Sequence, residues 1–149
     1  MRVALVTGGG SGIGRSAALE LNKIDFTVYV VGRREEELIK TSSLATNNNH
    51  KIIPIKTDIT IGSQVIALFD KIKSDHGRID LLFNNAGMGA PRVPIEDLKE
   101  EDWRKTVDVN LTGSFLCSQQ AIKLMKNQSP QGGRIVNNCL LYTSPSPRD

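Results

Sequence analysis

The sequence has little cysteine and no long apolar segment. It contains two cysteines among 149 residues, too few for a disulfide framework, which favours a reducing compartment. No apolar run approaches the ~18 residues of a membrane-spanning helix. The N-terminus also lacks the apolar region and small-residue cleavage site of a signal peptide. We therefore expect a cytoplasmic protein with no membrane partner.

A strong charge of either sign is absent as well. The formal net charge is +3 and the basic residues are scattered, whereas nucleic-acid binding requires a basic stripe or patch. We expect no nucleic-acid partner and no metal site. With 39% hydrophobic and 23% charged residues, the composition is that of an ordinary globular protein with a single core.

Short β-branched runs alternate with helical patterns along the chain. This alternation is typical of a parallel sheet wrapped by crossover helices. The predicted strands are 3–6, 27–31, 51–55, 79–83 and 134–136. The predicted helices are 12–24, a short one from about 35, 61–75, and a long one at 100–127 that is either continuous or interrupted near Asn110. No repeat or linker divides the chain, so we expect one α/β domain.

A glycine-rich segment, TGGGSGIG, runs from Thr7 to Gly14 between the first predicted strand and the first predicted helix. Gly8, Gly12 and Gly14 lack a Cβ, so the backbone can adopt positive φ angles and a ligand can approach closely. The following helix directs unpaired N–H groups and the positive end of its dipole at the segment. The segment therefore predicts a binding site for the pyrophosphate of a dinucleotide.

Four motifs occur in an order and spacing typical of one enzyme family. They are T-G-x-x-x-G-x-G at 7–14, Asp58 after the third strand, Asn84-Asn85-Ala86-Gly87 at the end of the fourth, and Asn110 in the long helix. Together they resemble the short-chain dehydrogenase/reductase family. The resemblance implies a Rossmann-like, doubly wound parallel sheet, truncated here after the start of the fifth strand. It also implies hydride transfer between a nicotinamide cofactor and a small carbonyl or alcohol substrate.

The same resemblance implies a set of cofactor-binding residues. They are Thr7, Gly8, Ser11, Gly12, Ile13, Gly14, Arg33, Asp58, Ile59, Asn85, Ala86 and Gly87. Asp58 would contact the adenine ring, and the NNAG segment would line the adenosine side. Ordinary structural roles fit some of these residues too. Asp58 could be a turn or helix-cap residue, and Asn84 and Asn85 could satisfy loose backbone groups at a strand end.

The end of the second predicted strand carries no acid that could grip the ribose 2′-hydroxyl of NAD. The chain reads Val31-Gly32-Arg33-Arg34 there, and a guanidinium can bind a 2′-phosphate bidentately. The acids at 35–37 are typical of the first turn of a helix. We therefore expect NADP(H) to be favoured over NAD(H). Two observations oppose this: Ser11 stands where NADP-preferring relatives often have a second basic residue, and Arg33 also fits an ordinary surface position.

Most catalytic residues of the family are missing. The family uses a tyrosine as general acid or base, a lysine four residues later, and a serine that polarises the substrate oxygen. In this chain Tyr142 is followed four residues later by Ser146, and Leu140 stands where the serine is expected. Asn110 is the one catalytic match, and its implied role is to support the proton relay. Because asparagine is unfavourable inside a helix, its presence there indicates a purpose.

The resemblance ends at Asn138. Residues 139–149, CLLYTSPSPRD, resemble the translation of a transposase adapter used in sequencing libraries, and a natural variant tail is the alternative. We expect 1–138 to be an incomplete NAD(P)-binding domain and 139–149 to be non-native. The parent enzyme, of about 250 residues, is expected to form a homodimer or homotetramer through the helix near 111–127.

Two other functions stay open. One is a non-catalytic dinucleotide-binding sensor, although the proton-relay residue Asn110 argues against it. The other is a fragment with no activity of its own, which is compatible with an enzymatic parent protein.

Overall fold

A five-stranded parallel sheet forms the centre of the computed structural model, which describes residues 1–138. Its strand order is β3-β2-β1-β4-β5. The strands are β1 (Arg2–Thr7), β2 (Phe26–Gly32), β3 (Ile52–Lys56), β4 (Leu81–Asn84) and β5 (Arg134–Asn137). The helices are α1 (Gly12–Lys23), α2 (Glu35–Ser43), α3 (Gly62–His76), α4 (Glu100–Val107) and α5 (Gly113–Asn127). The α/β, doubly wound architecture predicted from the sequence is confirmed.

The sheet is covered on both faces, and this explains the continuous apolar runs of its central strands. Val3 and Leu5 of β1 point toward α3 and α5, where they join a core cluster with Leu68 and Ala121. The alternate residues Ala4 and Val6 point to the other face and pack with Ala18 of α1 and Leu38 of α2. The order of the strands reverses at β1, since β2 lies on one side of it and β4 on the other.

The long helix predicted at 100–127 is interrupted at the expected place. A π-helical turn, Asp108–Thr112, joins α4 to α5 and contains Asn110. Backbone angles at both ends of the turn remain right-handed helical. The α-helical pattern is therefore interrupted while the chain itself stays helical. Gly113 follows the turn and packs closely against Ile59, because a Cβ at this position would lie 2.6 Å from Ile59 Cδ1.

The fourth strand begins later than the pattern predicts. The apolar run suggested a start at residue 79, but β4 begins at Leu81. The N–H of Ile79 donates to the Gln128 side-chain oxygen at 2.8 Å, and the Gln128 amide donates to the Ile79 carbonyl at 2.9 Å. Ile79 is completely buried. Both of its backbone polar groups are hydrogen-bonded to the Gln128 side chain and not to a neighbouring strand.

Apolar side chains remain exposed on the π-helical turn, along α5 and at the edge strand β5. They are Leu111 (67% exposed), Phe115 (57%), Ile122 (47%) and Val136 (46%). No helix within residues 1–138 is both long enough and apolar enough to cross a bilayer.

Candidate functional site

A cleft of about 540 Å³ opens at the carboxyl ends of the central strands. It lies where the strand order reverses at β1, which is the usual ligand site of an open parallel sheet. Most of the cofactor-binding residues predicted from the sequence line it: Gly8, Ser11, Gly12, Ile13, Arg33, Asp58, Ile59, Asn85, Ala86 and Gly87. Thr7 and Gly14, also predicted, are buried and do not line the cleft.

The glycine loop between β1 and α1 depends on residues without a side chain. Gly8 and Gly12 have φ angles of +64° and +52°, in the left-handed region that favours glycine. A Cβ on Gly14 would lie 2.2 Å from the Gly8 carbonyl oxygen. Because Gly14 has no side chain, the first turn of α1 can pack directly against the backbone of the loop.

The N-terminus of α1 is suited to an anion. No side chain caps it, and its first turn contains no acidic residue, whereas the first turn of α2 contains three. The first N–H groups of a helix have no partner within it, and the helix dipole places positive charge at the same end. Since Gly12 and Ile13 line the cleft, this end of α1 is open to a phosphate group.

Thr7 joins the end of β1 to the end of β4. Its hydroxyl oxygen accepts hydrogen bonds from the N–H groups of Asn85 and Ala86 at 3.0 and 2.9 Å. The Asn85 amide in turn donates to the carbonyls of Thr7 and Gly8 at 3.1 and 3.4 Å. Thr7 is buried and supports the cleft from below, while Asn85 both lines the cleft and satisfies backbone groups.

A row of asparagines connects β4 to β5. The Asn84 amide donates to the hydroxyl of Ser118 at 3.0 Å and to the side chain of Asn137 at 2.9 Å. The Asn138 amide donates to the Asn85 side-chain oxygen at 3.0 Å. Asn84 therefore bonds to neighbouring side chains and not to the loose backbone groups suggested from the sequence.

Asp58 combines a turn role with a position in the cleft. Its Oδ1 accepts hydrogen bonds from the N–H and the hydroxyl of Thr60 at 3.0 and 2.6 Å. The Asp58 N–H donates to the Gln64 side chain at 2.8 Å. Ile59 beside it is buried and belongs to the core cluster between the sheet and α5. The structural and the functional readings of Asp58 are therefore compatible.

Two arginines lie at the outer end of the cleft, after β2. Both Arg33 and Arg34 line it, and Arg34 Nη2 donates to the Ser11 hydroxyl at 3.4 Å. Glu37 lines the cleft as well, but Arg15 binds its carboxylate at 2.6 Å. The hydrogen bond from Arg15 lowers the pKa of Glu37, and the charges of Arg15, Lys40 and Arg34 lower it further.

Other residues line the cleft that were not predicted from the sequence to bind the cofactor. They are Gly10, Val31, Gly32, Arg34, Glu37, Leu38, Thr57, Thr60, Val109 and Asn138. Arg34 could have been found from its place beside Arg33. Glu37 follows the strand within the first turn of α2, where acids are common for a different reason, so no local pattern marked it.

Asn110 lies beside the NNAG segment and does not line the cleft. Its Oδ1 accepts a hydrogen bond from the N–H of Met88 at 2.8 Å, and its Nδ2 donates to the Met88 carbonyl at 2.8 Å. A Cβ on Gly87 would lie 3.2 Å from the Asn110 side-chain oxygen. The Asn110 carbonyl, inside the π-helical turn, accepts a hydrogen bond from the Ser114 hydroxyl at 3.1 Å.

No acid–base residue of the family type lies at the cleft within residues 1–138. Leu140, Tyr142 and Ser146, which bear on the catalytic motif, fall outside the described residues. Tyr29 is the one tyrosine that the structure describes, and its hydroxyl donates to Asp75 at 2.6 Å. Burial raises the pKa of Tyr29, and the hydrogen bond to Asp75 raises it further.

Comparison with other sequences finds one family. The family model described as short chain dehydrogenase matches residues 2–143, a range that extends past Asn138. A 3beta-hydroxysteroid dehydrogenase of Mediterraneibacter gnavus is 37% identical over 136 residues, which is 91% of this chain and 48% of that protein. A cis-4-hydroxycyclohexanecarboxylate dehydrogenase of Sinomonas cyclohexanicum is 34% identical over 91% of this chain and 53% of its own length. The chain thus spans about half the length of these curated relatives.

Solved structures with the same fold include complexes with both nicotinamide cofactors. A metagenomic short-chain oxidoreductase in complex with NADP has a TM-score of 0.85 and 27% identity, covering 91% of this chain and 61% of that one. An NAD+-bound xylitol dehydrogenase has a TM-score of 0.85 and 31% identity, covering 91% and 52%. From the family match and these likenesses, the chain belongs to the short-chain dehydrogenase family.

Proposed function

We propose that the parent protein is an NADP(H)-dependent oxidoreductase that acts on a small carbonyl or alcohol substrate. The observation that carries this proposal is the cleft, which combines the uncapped N-terminus of α1 with the Arg33–Arg34 pair. A nicotinamide cofactor bound there would supply or accept the hydride. The residues of this chain bind and orient that cofactor.

The proposal divides binding among three parts of the cleft. The N–H groups of Gly12 and Ile13, with the dipole of α1, bind the pyrophosphate. Arg33 and Arg34 bind the 2′-phosphate through charge-assisted hydrogen bonds. Asp58 and the NNAG segment hold the adenosine side. Asn110 orients the chain that follows this segment through its two hydrogen bonds to Met88.

The preference for NADP(H) rests on the residues of this chain, since relatives bind either cofactor. A ribose 2′-hydroxyl needs a free acceptor, and of the three acids that follow the arginines, Glu37 is the one that lines the cleft. Its carboxylate is already bound by Arg15 at 2.6 Å. A 2′-phosphate, by contrast, meets two guanidinium groups that line the same cleft. This arrangement favours the phosphorylated cofactor.

Calorimetric titration of the 149-residue chain with NADP+ and NAD+ tests the proposal. We expect tighter binding of NADP+, and we expect Arg33→Ala and Arg34→Ala each to weaken it about tenfold or more, the value of one charged hydrogen bond. Binding of NAD+ should change less than about twofold. Arg92→Ala, on an exposed loop outside the cleft, is the matched control. Equal affinity of the wild-type chain for both cofactors would contradict the preference.

We also propose that the 149-residue chain has no oxidoreductase activity of its own. Tyr142 lacks the lysine four residues later that lowers the pKa of the family's tyrosine, and Leu140 replaces the serine. NADPH oxidation with a panel of ketones and aldehydes should stay at the level of the buffer. Measurable carbonyl reduction by the purified chain would contradict this.

A cytoplasmic homodimer or homotetramer is the proposed state of the parent. The exposed apolar side of α5, with Phe115 and Ile122, supports association through that helix. In sedimentation velocity we expect the wild-type chain to associate and Phe115→Glu to be monomeric. Ile39→Glu alters an equally exposed side chain on α2 and should leave association unchanged. A wild-type chain that stays monomeric at high concentration would contradict the proposed interface.

A further inference from the structure

The outer side of the glycine loop is held by α2. The Thr41 hydroxyl oxygen accepts a hydrogen bond from Arg15 Nε at 3.0 Å. Its one proton has two acceptors within reach, the Gly9 carbonyl at 2.8 Å and, farther away, the Glu37 carbonyl of its own helix at 3.1 Å. Thr41 is completely buried. A Cβ on Gly10 would lie 3.1 Å from the Glu37 Cβ, so the loop and α2 are in close contact.

Arg15 completes this connection from the first turn of α1. One of its terminal nitrogens lies within hydrogen-bond distance of three acceptors, and its two protons serve the Gly10 carbonyl, the Glu37 carboxylate at 2.6 Å and, more weakly, the Glu37 carbonyl at 3.2 Å. Its Nε donates to Thr41. Arg15 does not line the cleft. Its hydrogen bonds go to the loop and to α2, which it joins into one unit.

The orientation of these carbonyls determines which way the loop N–H groups point. In a trans peptide the C=O of one residue and the N–H of the next point in opposite directions. The Gly9 and Gly10 carbonyls face Thr41 and Arg15 on the α2 side. The N–H groups of Gly10 and Ser11 therefore face away from α2, and both residues line the cleft.

Consecutive glycines would otherwise leave this loop free to adopt many conformations. We propose that Arg15 and Thr41 are positioning residues that fix the Gly9 and Gly10 carbonyls on α2 and so hold the loop N–H groups toward the pyrophosphate. The inference rests on the proposed function. It adds two residues outside the cleft that determine how well the pyrophosphate is bound.

Substitution of Thr41 separates loop positioning from general stability. Thr41→Val keeps the side-chain shape but removes the hydroxyl, Thr41→Ser restores it, and Ser43→Ala is the control on the exposed side of the same helix. Titrations use NADP+, which has a pyrophosphate, and 2′-AMP, which has none. We expect Thr41→Val to weaken NADP+ binding about tenfold and 2′-AMP binding less than twofold. Thr41→Ser and Ser43→Ala should bind both probes like the wild type.

Amide hydrogen exchange of the ligand-free chain provides a measurement that does not depend on cofactor. We expect faster exchange at Gly10 and Ser11 in Thr41→Val, with the core of β1 unchanged. Arg15→Lys is a second variant that retains the charge but has one nitrogen in place of the guanidinium fork, and it should show a smaller effect of the same kind.

The possible outcomes separate the two proposals. If Thr41→Val retains wild-type NADP+ affinity and loop exchange, the positioning role is wrong and the proposed function stands. Equal losses for NADP+ and 2′-AMP would mean a general structural effect, which also overturns the positioning role. If the wild-type chain does not bind NADP+, both the proposed function and this inference are wrong.

Discussion

Asn110 holds the main chain of Met88 with both polar atoms of its side chain, through two hydrogen bonds of 2.8 Å. Met88 follows the NNAG segment, and Asn110 lies in the π-helical turn between α4 and α5. The contact attaches the segment that follows β4 to the turn between α4 and α5. It gives an asparagine within a helix a specific structural task.

Replacing Asn110 by alanine should loosen the segment after Gly87. We expect a loss of about 1 kcal/mol in the free energy of unfolding, because both hydrogen bonds are solvent-accessible. Limited trypsin digestion should cleave after Arg92, in the following loop, several times faster than in the wild type. Asn127→Ala removes an asparagine that bonds only within α5 and should leave this cleavage unchanged. Unaltered cleavage in Asn110→Ala would argue against the contact.

The fold was predictable because its signals are local. The apolar runs at β1 and β2 reflect burial on both faces of a parallel sheet, and the run alone identifies each strand. The start of β4 was not predictable in the same way. Ile79 is apolar and buried like Leu82 within the strand, but its backbone bonds to Gln128. A local sequence pattern does not reveal a partner 49 residues away.

Residues of the cleft that belong to local motifs were also predictable, whereas contacts between separate helices were not. Gly8 directly follows β1, Gly12 begins α1, and Asp58 lies two residues after β3, so motif spacing can identify them. Arg15 and Glu37 were not predicted to pair, since their contact depends on how α1 and α2 pack together. That pairing bears on the proposed preference for NADP(H), because it occupies a carboxylate that lines the cleft.

Gly14→Ala should disrupt the loop although alanine is the better helix former. The new Cβ would lie 2.2 Å from the Gly8 carbonyl oxygen and 2.6 Å from the Asn85 amide nitrogen. Overpacking of this kind costs about 1–3 kcal/mol or more, which exceeds the gain of up to about 1 kcal/mol in helix propensity. Urea unfolding should show a net loss of about 2 kcal/mol.

Gly62→Ala is the matched control for that substitution. Gly62 begins α3, and a Cβ there would meet no atom within 4 Å. Its unfolding free energy should stay equal to that of the wild type or rise by up to about 1 kcal/mol. Equal losses in the two variants would show that the close approach at Gly14 does not determine the effect.

Asp80 should make the stability of the chain depend on pH. Burial raises the pKa of its carboxyl, but hydrogen bonds from Arg78 and from the Val3 N–H outweigh it, so the pKa lies below its usual value. Because its pKa is lower in the folded state, the Asp80 carboxylate adds to the free energy of unfolding. This contribution is complete above the unfolded-state pKa of about 3.9 and is lost as pH falls through the folded-state pKa.

Asp80→Asn should therefore lower the free energy of unfolding by about 2 kcal/mol at pH 7. The difference from the wild type should shrink as pH falls below about 4, because the wild-type carboxyl becomes neutral. Urea unfolding at pH 7, 5, 4 and 3 measures it, with Asp70→Asn on the exposed side of α3 as the control. A difference that does not change with pH would mean that the charge of Asp80 contributes nothing.

Cys117 should react with thiol reagents only when the chain unfolds. It is completely buried between α5 and the sheet, and this burial raises the pKa of its thiol to about 12. Thiolate is the reactive form, so at pH 8 both access and ionisation limit the reaction. In a Cys139→Ser variant, which retains one cysteine, labelling by a disulfide reagent should be slow in buffer and fast in urea. Its dependence on urea should follow the unfolding curve. Rapid labelling of the folded chain would mean that α5 opens without global unfolding.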